Sequence, residues 1–460
     1  MTRSVHIFIP ELVPLENKGE EAIVRGIADV LFPDGNCEIH LFDEVDEYRH
    51  ENGIHVYPVS WFISPWLNRE FGLGASWEKI RDSFSSLVRN ALHVAFPKWV
   101  ASHCGALRRS ARTMRALHDG QAPSCDRDRR LLQILNCDYV VVGHDGALDE
   151  RVCQVVDLMQ SFGKQFGVFG VEFPTRFKSE QIESVMRNTL QHAEFFFCRT
   201  PASRDAAMSV FPEGQPSYLP DPAFGMKPAE DDEASALIEQ AGLGELFNRP
   251  VIVCTSCEPG PISRHCFEEA VSPGARLEAH RRLYAELIKH IVATVDANVL
   301  FLPHAIGPGV SLDDRRVARS VLDYAGVPED RARLLNSVHD AKLLKAIIGR
   351  GEFLIAERIH SMIGAVGVAT PFLCLGSNTD RRIKGIIEDT AEMGDSIYYL
   401  NSPVKGELID KFESTWKRRD EVRSRLDRVR TELWQKLSLE AEGMRERILH
   451  ASSDAERAGR

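Results

Sequence analysis

Short apolar runs of strand length alternate with segments of helical periodicity along most of the chain. Predicted strands cover 4–9, 37–42, 54–58, 138–142, 166–171, 194–198, 251–255, 298–302, 332–335, 353–356 and 370–375. Predicted helices cover 20–32, 150–162, 201–211, 280–295, 313–325, 339–349 and 381–393. In the first of these helices the apolar residues Ile23, Ile27, Val30 and Leu31 recur with helical spacing. This alternation predicts parallel sheets that are covered by helices on both faces.

Two stretches interrupt the alternation. Residues 65–130 contain no clear strand but hold three tryptophans and a basic run at 108–112, which predicts a helical insertion. The insertion is either a packed helical pair with a solvated basic face or a cover over an active site, an acceptor or a membrane surface. Residues 226–248 are polar and acidic, which predicts a linker between two domains.

A third segment follows the alternating part. Residues 404–449 are charged, with apolar residues three and four positions apart. This pattern predicts long helices that pack across the domains, and a coiled-coil surface for a partner is the alternative. We therefore predict three parts in the 460-residue chain. They are an α/β Rossmann-like domain at 1–228 that contains the insertion, a second Rossmann-like domain at 229–400 across a central cleft, and C-terminal helices at 401–460.

The composition excludes some classes of function. A net charge of −11 and a pI of about 5.9 are unlike a general nucleic-acid binder, so no nucleic-acid partner is expected. No run approaches the roughly 18–20 apolar residues of a membrane span, and the N-terminal residues predict a strand rather than a signal peptide. The ten cysteines are scattered, which is typical of reduced thiols in a cytosolic protein. We expect a cytoplasmic location.

The most informative chemical motif is the run Glu357-Arg358-Ile359-His360-Ser361. It follows the apolar stretch 353–356 and precedes the apolar stretch 362–366, which predicts a strand, a short turn and a helix. Such a turn lies outside the carboxyl end of the sheet, where open α/β proteins bind anions at helix N-termini. Arg358 and His360 there suggest one group that holds an anion and another that moves a proton.

Four turns share this position between a strand and a helix. They lie at 16–22, 143–146, 199–203 and 358–360. The carboxyl ends of parallel strands meet at one edge of a sheet, so all four turns are expected to line a single cleft between the domains. The first turn has two explanations, because Asn17 and Gly19 could simply start a helix or could contact a substrate.

Two other turns also leave alternatives open. Arg199 ends an aromatic strand, where it could form a bidentate pair with a carboxylate or phosphate of a ligand. The alternative is a structural ion pair with Asp205 or Glu194. His144 and Asp145 are either a general-base pair or ordinary turn residues.

Taken together, these motifs resemble those of the polysaccharide pyruvyl transferases. The matching positions are Asn17, Gly19, Glu21 and Ala22; Gly143, Gly146 and Asp149; Arg199 and Ser203; the run 221–224; Pro303, His304, Asp313 and Asp314; Arg358 and His360; the run 367–371; and Lys384 and Gly385. The resemblance covers about 5–395 apart from the insertion. At two places the chain departs from the family pattern. Glu20 stands where the family usually has Asp, and the second turn is Gly-His-Asp-Gly instead of a run of glycines.

The resemblance implies a GT-B-like fold and transfer of the pyruvyl group of phosphoenolpyruvate to a saccharide. The products are a pyruvate ketal and phosphate. The donor carries a carboxylate and a phosphate, for which Arg199, Arg358, Ser361 and Lys384 are the candidate ligands. His360 is the candidate general acid, because histidine ordinarily titrates near neutral pH. The candidate acceptor base is Asp145, with His144 and Glu20 as alternatives. Acceptor contacts are expected from Asn17, Gly19, Glu20, His144 and His304. No metal or cofactor is expected.

Two rival functions remain open at this point. One is a nucleotide-sugar glycosyltransferase of GT-B shape, in which two late glutamates are often separated by seven residues. Glu278 and Glu286 have that spacing but lie on an early helix of the second domain. The other is a non-catalytic relative that acts as a scaffold in polysaccharide synthesis. A lipid-linked acceptor, with a peripheral location at the inner membrane face, is a further expectation.

Overall fold

Two parallel sheets, each with its own covering helices, form the core of the protein. The computed structural model describes residues 3–62, 97–143, 148–174, 176–177, 179–258, 266–307, 312–404 and 406–458. The first sheet has the strand order β3-β4-β2-β1-β5-β6-β7-β8, and only β3 is antiparallel to its neighbour. The second sheet has the order β11-β10-β9-β12-β13-β14 and is parallel throughout.

The first sheet and its helices use the chain up to residue 218. The strands are β1 (Val5–Leu12), β2 (Cys37–Asp43), β3 (Arg49–Glu51), β4 (Ile54–Pro58), β5 (Tyr139–Val142), β6 (Phe166–Val171), β7 (Phe196–Cys198) and β8 (Ser217–Tyr218). The helices are α1 (Lys18–Leu31), α2 (Pro97–His118), α3 (Asp126–Leu135), α4 (Glu150–Gln160), α5 (Glu180–Leu190) and α6 (Pro201–Val210). The described part of the predicted insertion is helical, and residues 63–96 lie outside the described ranges.

The second sheet begins at residue 251. Its strands are β9 (Val251–Thr255), β10 (Asn298–Phe301), β11 (Ala332–Leu334), β12 (Phe353–Ala356), β13 (Phe372–Gly376) and β14 (Ile397–Tyr399). The helices are α7 (Asp231–Gln240), α8 (Pro273–His290), α9 (Asp314–Ala325), α10 (Ala341–Arg350), α11 (Ile359–Gly367), α12 (Glu407–Lys417) and α13 (Arg419–Ala458). In the described part of the chain, no helix is both long and apolar enough to cross a bilayer.

The predicted fold of two parallel α/β domains with long C-terminal helices is confirmed. The strands β9 and β12 are buried along their whole length, which is why they are continuous apolar runs rather than alternating ones. The predicted boundary at 228 falls between the last strand of the first sheet and the first strand of the second.

Two segments differ in detail from their predictions. The segment 226–248, predicted as a linker, contains the helix α7. This helix forms because the apolar residues Ala234, Leu237 and Ile238 lie at helical spacing and are buried, although residues next to them in sequence are acidic. The helix predicted at 381–393 is shorter, with residues 381–382 helical and a π-helical turn at Ile383–Glu388.

The helix α13 joins the two domains. Near its start, Arg423 donates to the backbone of Glu352 in the second domain. Further along, Arg445 donates to the Leu31 carbonyl at 2.7 Å, and Ser452 donates to Asp138 at 2.8 Å, both in the first domain. The expectation that the terminal helices pack across the domains is therefore confirmed.

Replacing Leu437 with Ala should destabilise the protein, because this α13 side chain is 0% exposed at the junction of the domains. Truncating a buried leucine costs about 2–5 kcal/mol. Leu439, two positions later and 71% exposed, is the matched control, and its change to Ala should cost less than about 0.5 kcal/mol. Urea unfolding of the two variants checks the difference. Equal losses of stability would contradict the packing of α13.

Candidate active site

The site is centred on His360, in the first turn of α11. Strand β12 ends at Ala356, and α11 begins at Ile359. The imidazole of His360 therefore lies at the carboxyl edge of the second sheet. It packs against the start of α1 in the first domain. A Cβ added to Gly19 would lie 2.4 Å from Nδ1 of His360, so this contact requires glycine. Nε2 of His360 is buried and has no hydrogen-bond partner among the described residues.

A carboxylate of the first domain stands opposite this nitrogen. Oδ2 of Asp221 lies 3.8 Å from Nε2 of His360 and accepts a hydrogen bond from Nη1 of Arg199 at 3.3 Å. Arg199 also donates from Nε to Glu172 at 3.2 Å. Its side chain is only 1% exposed. Arg199 and His360 are therefore brought together through Asp221, but the guanidinium lies between two carboxylates rather than open to a ligand.

The alternative prediction for Arg199, a structural ion pair, matches what is observed, but the carboxylates are Glu172 and Asp221 rather than Asp205 or Glu194. Asp205 pairs with Arg204, and Glu194 lies 3.9 Å from Arg447. Both carboxylates that pair with Arg199 follow strands that neighbour β7 in its own sheet.

The turn at Pro222–Gly225 fixes the position of Asp221. Oδ1 of Asp221 accepts the N–H of Ala223 at 2.9 Å and so caps the turn. On one side the turn touches α1, where a Cβ on Gly26 would lie 2.2 Å from the carbonyl oxygen of Pro222. On the other side Gly225 lies against Leu437 of α13. The carboxylate beside His360 is therefore held between the first and last helices of the structure.

Arg358 forms a second ion pair, at the carboxyl edge of the second sheet. It is the N-cap residue of α11, and its Nε and Nη2 donate to Asp314 at 3.2 and 2.5 Å. Oδ2 of Asp314 also accepts the backbone N–H groups of His304 and Ala305. Burial raises the pKa of Asp314, and Arg358 and these N–H groups oppose that shift. About a fifth of the Arg358 side chain, 21%, remains exposed.

The loop after β10 pairs with the start of α1. Lys18 donates its N–H to the carbonyl of His304 at 2.9 Å, and Ile306 donates to the carbonyl of Glu16 at 3.0 Å. The side chain of Asn17 accepts the N–H of Gly19 at 3.1 Å and donates to Glu20 at 3.1 Å. The helix-capping explanation of Asn17 and Gly19 therefore describes the local structure, and it places both residues at the contact between the domains.

The remaining predicted residues fall into three groups. Ser361 has no exposed surface, and its hydroxyl donates to the Arg358 carbonyl at 2.6 Å and lies 2.8 Å from Oγ1 of Thr255. Lys384 is exposed, next to Gly385, which packs against Thr200 just after Arg199. His144 and Asp145 lie outside the described residues.

Sequence reasoning missed three carboxylates that organise the site. Glu172 and Asp314 were not considered as partners of the arginines, and Asp221 was noted only as part of a motif. A usable signal existed, because Glu172 directly follows β6 at the same sheet edge as Arg199. A buried arginine such as Arg199 also requires an anionic partner.

Facing parallel sheets with acid–base groups between their carboxyl edges define the class as a two-domain, GT-B type fold. HepE of Anabaena, solved in complex with UDP-glucose, has a TM-score of 0.51 and 10% identity, covering 98% of this chain and 100% of that one. The trehalose-6-phosphate synthase OtsA has a TM-score of 0.51 and 12% identity, covering 97% and 98%. These identities show similarity of fold alone.

A sequence comparison gives the particular family. The model of the polysaccharide pyruvyl transferase family matches residues 17–379, so the chain belongs to that family. No curated protein sequence matches the chain.

His304 should remain neutral through mildly acidic pH. Burial, to which the neighbouring His360, Arg358 and Lys18 add, lowers the pKa of His304 to about 3. The unfolded chain binds a proton near pH 6.5, so the contribution of His304 to stability is complete above about pH 6.5 and is lost as the pH falls from there toward 3. Nitrogen NMR of labelled histidines, with His304→Gln to assign the signal, checks this. Titration of that signal above about pH 5.5 would show that the ring is not buried as described.

Proposed function

We propose that the protein transfers the pyruvyl group of phosphoenolpyruvate to two hydroxyls of a saccharide, forming a pyruvate ketal and releasing phosphate. The main observation in support is that Nε2 of His360 is buried and has no hydrogen-bond partner among the described residues. Buried polar atoms are almost always paired, so such an atom at a junction of domains is expected to meet a ligand. Membership in the pyruvyl transferase family supports the choice of reaction.

His360 acts as the general acid in this proposal. Nε2 delivers its proton to the methylene carbon of the donor. Asp221, 3.8 Å away, keeps the ring oriented. Arg199 is a positioning residue, because its guanidinium touches Asp221 and Glu172 rather than the space beside the imidazole. This differs from the donor-binding role expected for Arg199 from sequence.

The reaction then proceeds by two additions at one carbon. Protonation of the methylene carbon leaves an oxocarbenium-like centre at the neighbouring carbon, and the first saccharide hydroxyl attacks it and gives its proton to a base. The bond from this carbon to the phosphate oxygen breaks, and the electron pair leaves with phosphate. The second hydroxyl attacks the oxocarbenium centre left by phosphate departure, gives its proton to the released phosphate, and closes the ketal. We assign the base to Asp145, with His144 and Glu20 as alternatives.

The charge around His360 limits how the donor is held. Arg199 and Arg358 face three carboxylates, those of Glu172, Asp221 and Asp314. The two arginines are therefore already neutralised, and an anionic donor needs a further cation. We assign that role to Lys384, which is exposed beside Gly385, together with the exposed part of Arg358.

Ser361 supports the donor site indirectly in this proposal. Its hydroxyl holds the Arg358 carbonyl and strand β9 through Thr255, so it orients Arg358. The acceptor is assigned to the side formed by Asn17, Gly19, Glu20 and His304. The acceptor is a saccharide in free or lipid-linked form, and Asn17 and Glu20 place an amide and a carboxylate on this side that can hydrogen-bond to hydroxyls.

Substituting His360 with Gln should lower turnover by about 100-fold or more, because general-acid catalysis contributes that much. The KM for phosphoenolpyruvate should stay within a few-fold. The assay is phosphate release from phosphoenolpyruvate with a panel of saccharides, with the ketal product confirmed by mass spectrometry. His192→Gln, at an exposed histidine of the first domain, is the matched control.

Three results would count against the proposal. Unchanged turnover in His360→Gln would remove this residue from the acid role. Consumption of a nucleotide sugar, with no ketal from phosphoenolpyruvate, would instead support a glycosyltransferase. Absence of both activities across the panel would favour a scaffold role.

Replacing Lys384 with Ala should raise the KM for phosphoenolpyruvate by about tenfold or more, since a hydrogen bond to a charged group is typically worth ~1.5–3 kcal/mol. Lys384→Arg should retain most of the affinity. Lys417→Ala, at an exposed lysine of α12, is the control. Steady-state kinetics with varied donor concentration test this, and a KM that does not change in Lys384→Ala would assign the donor anion to other groups.

A further inference from the structure

Four side chains with metal-binding atoms lie together on the first sheet, away from the candidate active site. They are His6 on β1, Glu38 and His40 on β2, and His55 on β4. His6 is opposite Glu38, and His40 is opposite His55 in the parallel register. Residues two positions apart on a strand share a face, so all four side chains point to the same side of the sheet.

Their donor atoms converge on one point. Nδ1 of His6 is 2.9 Å from Nε2 of His40, and Nε2 of His55 is 2.5 Å from Oε2 of Glu38. All four atoms lie within 4.8 Å of one another. A tetrahedral zinc ion with bonds of ~2.0–2.2 Å separates its ligand atoms by about 3.3–3.6 Å. Small side-chain rotations would therefore bring the four atoms into a tetrahedron.

The outward nitrogens of two of the rings are already held. Nδ1 of His40 lies 2.8 Å from the hydroxyl of Tyr57, and Nδ1 of His55 lies 2.7 Å from the hydroxyl of Tyr48. Hydrogen bonds of this kind orient metal-binding histidines and fix which nitrogen faces the ion.

We propose that His6, Glu38, His40 and His55 bind one Zn²⁺ ion as a structural site. Three imidazoles and one carboxylate suit zinc, whereas magnesium and calcium prefer oxygen ligands. Binding is a ligand exchange with no redox step, in which zinc replaces the protons shared in the two short contacts and these pass to water or to the other ring nitrogens. In the described part of the chain, this is the only group of three or more such side chains with donor atoms so close.

The position of the cluster indicates a structural rather than a catalytic ion. His6 is the second residue of β1, and the carboxyl end of that strand is six residues further on, or about 20 Å at ~3.3 Å per residue. Four protein ligands also leave no position for a substrate. His6 and Glu38, about a third exposed at 31% and 32%, give the ion a route from solvent.

Metal binding by the full chain tests the proposal. After chelation and desalting, Zn²⁺ titration by calorimetry should give one ion per chain, and added Zn²⁺ should raise the midpoint of thermal unfolding. Co²⁺ in its place should give the intense visible absorption of four-coordinate cobalt. His6→Asn and Glu38→Gln should each weaken zinc affinity by at least tenfold. His50→Asn removes a ring that stacks on His55 at 4.1 Å but supplies no ligand, so it should bind zinc as the wild type does.

Several outcomes would overturn the site. They are the absence of saturable zinc binding, six-coordinate cobalt spectra, full affinity in both ligand variants, or equal loss in His50→Asn. Should a ligand variant fail to fold, the stoichiometry and cobalt spectrum of the wild-type chain decide the question. None of these measurements depends on transferase activity, so they are independent of the proposed reaction.

Discussion

The carboxylate of Asp221 is the interaction on which the candidate site depends. It is fully buried, and a buried charge is stable only if other groups replace the water that it has lost. Arg199 and the N–H of Ala223 do so on the side of the first domain, and His360 completes the environment from the second. These partners can meet only if the turn that carries Asp221 keeps its place between α1 and α13. The packing of α1 and α13 around this turn therefore also fixes the position of Asp221 relative to His360.

The two arginine–carboxylate pairs make the site rigid before any ligand binds. Arg358 is bidentate to Asp314, which also ties down the loop after β10 through two backbone N–H groups. Arg199 is held in the same way by Glu172 and Asp221. Preformed pairs of this kind need little rearrangement when charge develops in a transition state. In the proposed reaction, the same neutralisation means that the donor anion needs a further cation, Lys384, beside the exposed part of Arg358.

The sequence predicts the sheets well because buried parallel strands must be continuous apolar runs, as in β9 and β12. It also predicts the contact between the turns at 16–22 and 358–360, which Gly19 and His360 make across the two domains. It does not predict the environment of Arg199, because the choice between ligand and carboxylate depends on side chains 22 and 27 residues away. The helix α7 was missed because acidic residues mask three buried apolar ones. The group formed by His6, Glu38, His40 and His55 has no short spacing that signals a metal, and only strand register brings it together.

Strand β1 connects the two ends of the first domain. His6 lies at its amino end, and Glu11 near its carboxyl end accepts the N–H of Gly143 at 2.9 Å. The chain then enters α1, whose Gly19 touches His360. A zinc ion that joins β1 to β2 and β4 would fix the amino end of β1 without touching a substrate. Loss of the ion would act on the site only through small displacements of β1. Such displacements matter most at Gly19, where the imidazole already occupies the space that a side chain would need.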